Sequence, residues 1–365
     1  MTPLEPLQQT AHSRVLWRGR ELDYFSGCDY FRLASHPAIL KAAAAGLKKF
    51  GLNVAASRLT TGHHKIYDLL ERELAAFFEA PDALLVSTGY LTGIVVAQAL
   101  ARTYSHALLD ARAHPALVDA AAQLECPVLR FEHRDVNDFA RVVAWCGRDA
   151  HPIVLTDGMF SHDGSAAPLK AYLKILPRDA MIVVDDAHGA GVLGKSGRGT
   201  HELEGINRRQ IIQCLTLSKA FGVYGGVILG TPDLRQKILE RSRSFVGSTP
   251  LPLPLANAAL QSVKILKTKG NHWRSQLHGN ADYVKTALKK AGFKIPTTPG
   301  PIIPLNFEDA SKSAALKKHL LAAGILPPFL KYPGGDANGY FRFVISSGHR
   351  RAQLDHVINV LKKSL

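Results

Sequence analysis

Residues 181–191 read MIVVDDAHGAG: an apolar run that ends in two carboxylates, then a histidine three residues past the first of them, then glycines. A short apolar run rich in β-branched side chains and closed by turn formers reads as a strand buried on both faces. The same reading applies to ALLVST (83–88), HALLD (106–110), PVLRF (127–131), PIVLT (152–156), IIQCLTLS (211–218) and GGVILG (225–230). Helical patterns such as HPALVDAAAQL and VNDFARVVAWC separate many of these runs. The alternation predicts an α/β fold with a mainly parallel sheet covered by helices on both faces. Ligands of such sheets bind beyond the carboxyl ends of the strands, so the residues that close these runs carry the functional reading.

Further along, the pattern changes. A helix-rich stretch runs from about residue 251 to 292, followed by a strand in PIIPLNF, a helix over 310–323, a strand YFRFVIS (340–346) and a closing amphipathic helix RAQLDHVINVLKKSL. The expected organisation is a short N-terminal segment (1–45), a large domain (46–270) and a small α+β C-terminal domain (271–365).

Composition narrows the function classes. The 365 residues are 46% hydrophobic and 21% charged, enough for a substantial core. No apolar run approaches the roughly 18 residues of a membrane helix, and the first residues lack the apolar centre of a secretory signal. Cys28, Cys126, Cys146 and Cys214 form no C-x-x-C pair and no metal spacing, which predicts a reduced, cytoplasmic protein without a bound metal. The net charge of +15 permits a nucleic-acid partner, but the basic residues are spread along the chain and no nucleic-acid motif accompanies them. A phosphorylated small molecule or an acidic protein carrier suits the same sign of field.

The chemistry lies at the strand ends. Asp185 and His188 follow MIVVD, and Lys219 follows IIQCLTLS within TLSKAFGVYGG (216–226). A lysine after a strand is most often a surface residue, and an Asp-x-x-His turn is often a helix cap. Together and in this order they suit pyridoxal phosphate: the amine forms a Schiff base with the aldehyde, the aspartate keeps the pyridine nitrogen protonated, and the histidine bonds the phenolate oxygen. In VSTGYLTG (86–93) a strand runs through Gly89 and Tyr90 into a helix, whose open amides suit a phosphate. His114 begins a helix after HALLD, where it could lay its ring on a flat cofactor, although alone such a residue is more often a cap or surface residue. Ser161 follows PIVLT and is placed to bond the phenolate oxygen.

These motifs resemble the α-oxoamine synthases, fold-type I pyridoxal-phosphate enzymes that condense an amino acid with an acyl thioester and release CO2. The most specific pieces are VVDDAHGAGVLGKSGRG and TLSKAFG, and the resemblance spans nearly the whole chain. It implies that Lys219 is the Schiff-base lysine, Asp185 the pyridinium partner and His188 a ligand of the phenolate oxygen. It further implies that His114 stacks on the ring and that Ser161 and Thr216 bond the cofactor. Gly89 and Tyr90 would supply phosphate amides, Ser248 and Thr249 would reach the phosphate of a neighbouring subunit in a homodimer, and Arg342 would hold the amino-acid carboxylate. The resemblance is strongest to the branch that joins L-alanine to a pimeloyl thioester, on CoA or a carrier protein, in biotin biosynthesis.

Several positions depart from the family pattern: Cys28, Ala55, Ala56, Tyr67, Gly93 and Asp157, together with the stretch PPFLKYPGGDANGY before Arg342. They are expected on the substrate side. Family members that use other acyl groups or amino acids, namely glycine C-acetyltransferase, 5-aminolevulinate synthase and serine palmitoyltransferase types, therefore stay open. So do an aminotransferase or decarboxylase on the same fold and a non-catalytic partner subunit.

Overall fold

The computed structural model describes residues 5–11, 13–307, 309–331 and 338–363. Residues 332–337, within the departing stretch before Arg342, and the last two residues of the closing segment lie outside it. The chain divides into two compact units. The smaller comprises residues 1–32, 161–165 and 272–365, and the larger residues 33–160 and 166–271. The N-terminal segment expected over 1–45 is thus divided: its first 32 residues group with the C-terminal part of the chain, and the rest belongs to the larger unit.

The smaller unit opens with strands β1 (Gln8–Ala11), β2 (Arg14–Trp17) and β3 (Arg20–Tyr24). The larger unit follows with helices α1 (Pro37–Phe50) and α2 (Lys65–Phe78), then β4 (Asp82–Val86), α3 (Gly89–Ala99), β5 (His106–Asp110) and α4 (Pro115–Ala122). It continues through β6 (Val128–Phe131), α5 (Val136–Trp145), β7 (Pro152–Asp157), α6 (Leu169–Ile175), β8 (Met181–Asp185) and α7 (Thr200–Leu203). β9 (Ile211–Thr216), β10 (Gly226–Gly230), α8 (Pro232–Arg241) and α9 (Arg243–Val246) complete its run of short elements. The long helix α10 (Leu253–Lys290) begins here, and its last part is assigned to the smaller unit.

All seven apolar runs read as strands are the strands of one sheet, in the order β4-β10-β9-β8-β7-β5-β6. The pairs from β9 across to β6 are parallel, as the alternation requires, whereas β10 runs antiparallel to both β4 and β9. Alternate residues point to opposite faces of a strand, and the packing divides accordingly. Ile153, Leu155 and Val183 join one buried cluster with α3 and α4 residues such as Val96 and Leu117. Val154, Ile182 and Val184 join a second with Phe139 and Tyr172.

Two of the departing positions belong to this packing and not to a substrate pocket. Tyr67 is fully buried, and its hydroxyl donates to the Leu251 carbonyl at 2.6 Å. Gly93 lies where α3 meets α4: a Cβ there would stand 3.3 Å from Ala120 Cβ and 3.4 Å from Leu117 Cδ2. A larger side chain would push the helices apart, which close-packed interiors resist.

In the smaller unit, β11 (Ile302–Leu305), α11 (Ala310–Ala322), β12 (Ile325–Leu326), β13 (Phe329–Leu330), β14 (Tyr340–Val344) and α12 (Arg351–Lys362) complete the chain. β12 pairs parallel with β3, and β14 lies between β11 and β13. Phe341 and Phe343 of β14 enter a core with Leu354, Val357 and Leu288. Cys28 sits half-buried just before the fully buried Tyr30, whose amide donates to the Cys28 carbonyl at 2.9 Å.

His349 ties this unit together. Its Nδ1 accepts the Ser346 N–H at 2.9 Å, so Nε2 carries the proton and donates to the Tyr24 carbonyl at 3.0 Å. The ring stacks on Phe25 at 4.4 Å between centroids. Burial, with Arg32 adding in the same direction, pushes its pKa down to about 3. The unfolded chain therefore takes up this proton first. The stability held by neutral His349 is fully present above about pH 6.5 and is lost as pH falls toward its folded value, at up to about 1.4 kcal/mol per pH unit. His201 in the larger unit, pushed by burial to about 4, adds a loss of the same sign. Thermal midpoints followed by circular dichroism should fall steadily below about pH 6.5, and His349→Asn should start lower but fall less steeply. Equal slopes for the two proteins would remove His349 from this account.

Candidate active site

The carboxyl ends of the parallel strands open onto a cavity of about 210 Å³ in the larger unit. Strand parity decides which residues reach it. Counting from Ile153 and Val183, the positions on the α3/α4 face of β7 and β8 end in Asp157 and Asp185, and both line the cavity. Asp186, one residue on, points to the other side. There it is fully buried and accepts hydrogen bonds from Thr200 N at 2.8 Å, Thr200 Oγ1 at 2.7 Å and Gln213 Nε2 at 2.6 Å. Of the paired aspartates in the motif, the first faces the cavity and the second braces the loop that follows.

Lys219 enters from a tight loop after β9. The Leu217 amide bonds the Gly225 carbonyl at 2.9 Å, the Val223 amide bonds the Leu217 carbonyl at 2.9 Å, and the Gly222 amide bonds the Lys219 carbonyl at 3.0 Å. Ala220 and Phe221 are buried beside a half-buried Lys219. Gly222 has φ +64°, and a Cβ on it would lie 2.4 Å from Ala34 N, so both conformation and space demand glycine. Backbone hydrogen bonds thus close the base of the loop, and Lys219 itself lines the cavity. Thr216 Oγ1 accepts the Ser218 N–H at 3.2 Å and shares a 2.8 Å bond with the Ser218 hydroxyl.

His114 stands at the N-terminus of α4, where its Nδ1 accepts the Ala116 N–H at 3.2 Å, which leaves the proton on Nε2. Burial lowers its pKa; Lys219 acts in the same direction and Asp185 against it, so the ring is neutral at neutral pH. Its backbone N–H donates to Asp157 Oδ2 at 2.8 Å. Tyr90 meets the His114 ring edge-on at 6.2 Å, and its hydroxyl donates to Asp119 at 2.5 Å. Asp185 accepts the Ala187 N–H at 3.1 Å, and His188 is buried in the same wall.

At the cavity's other end, α3 starts after Thr88, which makes no side-chain cap bond to the helix amides. A Cβ on Gly89 would lie 2.6 Å from Thr216 Cβ, so the helix can start this close to β9 only because residue 89 is glycine. Uncapped amides at a helix N-terminus favour an anion. An amine, an aspartate and two imidazoles face a wall whose far end presents such amides. This donor set fits pyridoxal phosphate.

Of the expected site residues, Gly89, Tyr90, His114, Asp185, His188, Thr216 and Lys219 are brought together around the cavity. Ser161 and Arg342 are not among its lining residues. They belong to the smaller unit, where Arg342 NH1 donates to the Ser161 carbonyl at 3.3 Å. Arg342 alternates with Phe341 and Phe343 and so faces away from that unit's core. Ser248 and Thr249 also do not line the cavity: they follow α9, Ser248 half-buried and Thr249 exposed. The cavity adds Thr88, Asp157, Ser218 and Tyr224 to the expected set. Asp157 had a legible signal, since it closes an apolar strand as Asp185 does.

Residues 28–361 match the model of the aminotransferase class I and II family. The chain is 34% identical to the 8-amino-7-oxononanoate synthase of Thioalkalivibrio sulfidiphilus (strain HL-EbGR7), across 95% of this chain and 89% of the relative. Among solved structures, SPT with its PLP internal aldimine superposes with a TM-score of 0.92 at 25% identity, covering 98% of this chain and 90% of that one. The 8-amino-7-oxononanoate synthase of Francisella tularensis superposes with a TM-score of 0.80, also at 25% identity, covering 93% of this chain and 96% of its own. With a family model matched over most of its length and relatives aligned nearly end to end, the chain belongs to the α-oxoamine synthases, a pyridoxal-phosphate-dependent branch of the aminotransferase class I and II family.

Proposed function

We propose that the protein condenses L-alanine with a pimeloyl thioester to form 8-amino-7-oxononanoate, releasing CO2 and the thiol. The observation that carries this reading is the convergence of Lys219, Asp185, His114 and His188 on one cavity beneath the uncapped start of α3. The product is the one in the names of the relatives reported above, which align with nearly the whole chain, and the substrates are those that the family resemblance implies.

When bound, pyridoxal phosphate supplies an electron sink for negative charge at the amino acid's Cα. The residues of this chain do the rest. The amides that open α3 would hold the phosphate, with Gly89 keeping the approach bare. Asp185 would hold the proton on the pyridine nitrogen, His188 would bond the phenolate oxygen, and the neutral ring of His114 would lie against the cofactor face. Lys219 would anchor the cofactor through its amine and, when free, its Nζ would serve as the base for the Cα proton, held within reach by the base of its loop.

The same reading includes a cytoplasmic homodimer. Leu40, Leu47, Leu52, Leu59, Tyr224 and Val246 are exposed apolar side chains of the larger unit, and the turn at Ser248 and Thr249 follows the last of them. Where such side chains form one contiguous patch, a partner normally covers it. Among the described residues no helix is long and apolar enough to cross a membrane.

The test mixes purified protein, pyridoxal phosphate, L-alanine and pimeloyl thioester on CoA or an acidic carrier protein, and follows CO2, thiol and product. Stoichiometric release of all three, from a species of twice the chain mass, is the expected result. The SPT superposition, higher in TM-score than that of the Francisella enzyme, makes L-serine with a long-chain acyl thioester the second reading. Turnover of that pair and not of L-alanine would replace the first. Transfer of the amino group without CO2 release would overturn both.

A further inference from the structure

Asp157 stands in the cavity without a part in the mechanism above. It closes β7 as Asp185 closes β8, and the two are register partners on adjacent parallel strands, both lining the cavity. Neighbouring strands run about 5 Å apart, so two carboxyl groups are held side by side. Asp157 is only 4% exposed and Asp185 9%. Two like charges so placed and so far from water do not ionise together without a large cost.

The surroundings decide which of the two gives way. Facing Asp157 are Asp185 from β8, Asp110 from β5, the His114 amide at the start of α4, and Lys219 beyond β9. Burial, the largest effect, and the two carboxylates outweigh the amide and the amine and hold its pKa well above the usual carboxylate range. Among the described residues, the Asp157 carboxyl accepts one hydrogen bond, from the His114 N–H, at 2.8 Å on Oδ2. That amide belongs to the residue whose Nδ1 caps α4, so Asp157 grips the backbone from which the ring is hung.

We propose that Asp157 works as an uncharged carboxyl that positions His114, and that it thereby leaves Asp185 as the single carboxylate facing the pyridine end of the cavity. This inference rests on the cavity being the pyridoxal-phosphate site. Oδ2 accepts the His114 amide with or without a proton on the other oxygen, so the grip costs no charge. A second negative charge beside Asp185 would oppose the phosphate-bearing, anionic cofactor on entry and spread the field that Asp185 directs at one atom.

The test compares the holoprotein with D157N and D157A. Infrared spectra near neutral pH should show the carbonyl stretch of a buried protonated carboxylic acid that disappears in D157N. Visible-absorbance titrations should show the pyridoxal-phosphate dissociation constant raised about tenfold or more in D157A, where the ring loses its fixed backbone. D157N, uncharged and still an acceptor, should recover it to within about threefold of wild type. Stability supplies a further readout. A carboxyl with a raised folded pKa costs stability as pH climbs above its unfolded value of about 4, so the thermal midpoint of D157N should exceed that of wild type by a gap that widens as pH rises from there. An acid band that survives in D157N, or a D157N that binds as weakly as D157A, overturns the proposal. Failure of the wild type to take up pyridoxal phosphate overturns the reading beneath it, while the infrared band still decides the protonation of Asp157.

Discussion

Replacing Lys219 by alanine should lower kcat for condensation by at least about 10⁴-fold, because on the proposed reading the substitution removes both the anchor of the cofactor and the base that takes the Cα proton. No other lysine or arginine is among the described residues lining the cavity, so nothing nearby can take over. The visible absorbance of lysine-bound cofactor should vanish, while pyridoxal phosphate still binds through the α3 amides and Asp185. Folding should change little: the bonds that close the loop, between Leu217, Val223, Gly225 and the Lys219 carbonyl, are all made by backbone. A surface-like truncation of this kind usually shifts stability by no more than about 0.5 kcal/mol. A variant that keeps the absorbance, or turns over within tenfold of wild type, would move the chemistry to another residue.

The second large effect is expected at Asp185. The Asp185→Asn substitution would keep the shape and still accept the Ala187 N–H, which Asp185 takes at 3.1 Å, but the amide carries no charge for the role proposed for Asp185, holding a proton on the pyridine nitrogen. Loss of one preorganised electrostatic partner in a buried site costs about 10²–10³ in kcat, and that is the expected fall in D185N. KM for the amino acid should move much less, since the substitution touches the cofactor's far side. The change has a spectroscopic companion. Asp185 is the group that opposes the lowering of the His114 pKa, so in D185N the imidazole should titrate at still lower pH, which NMR of the ring can follow. A D185N protein with kcat within tenfold of wild type would detach Asp185 from the pyridine nitrogen.

Much of this site was legible before any coordinates. Except for the edge strand β6, where Val128 and Arg130 are exposed, the strands of the central sheet are buried almost throughout, and such strands must be written in nearly unbroken apolar residues, which makes them stand out. Their carboxyl ends are then the natural places to look, and Asp185, His188, Lys219, His114 and Gly89 were all found there. Asp157 was equally visible as a strand end, but its meaning depends on the strand beside it. The departures from the family pattern show the same limit. Tyr67 and Gly93 stand out in the one-dimensional pattern as possible substrate contacts, yet one bonds the Leu251 carbonyl inside the core and the other lets two helices touch.

By itself the sequence determined the class of fold, the seven strands, the cofactor and the family, because periodicity, turn chemistry and motif order are local properties of the chain. Tertiary structure alone decided the rest. It set β10 antiparallel between β4 and β9, drew the first 32 residues into one unit with the C-terminal strands through the β3–β12 pair, and aligned Asp157 with Asp185. Those outcomes are hydrogen-bond registers between residues far apart in the chain. A one-residue slip in register reverses every side chain on a strand, so which of two adjacent aspartates faces the cavity, and which carboxyl stands beside it, is written in the pairing of strands and not in either strand alone.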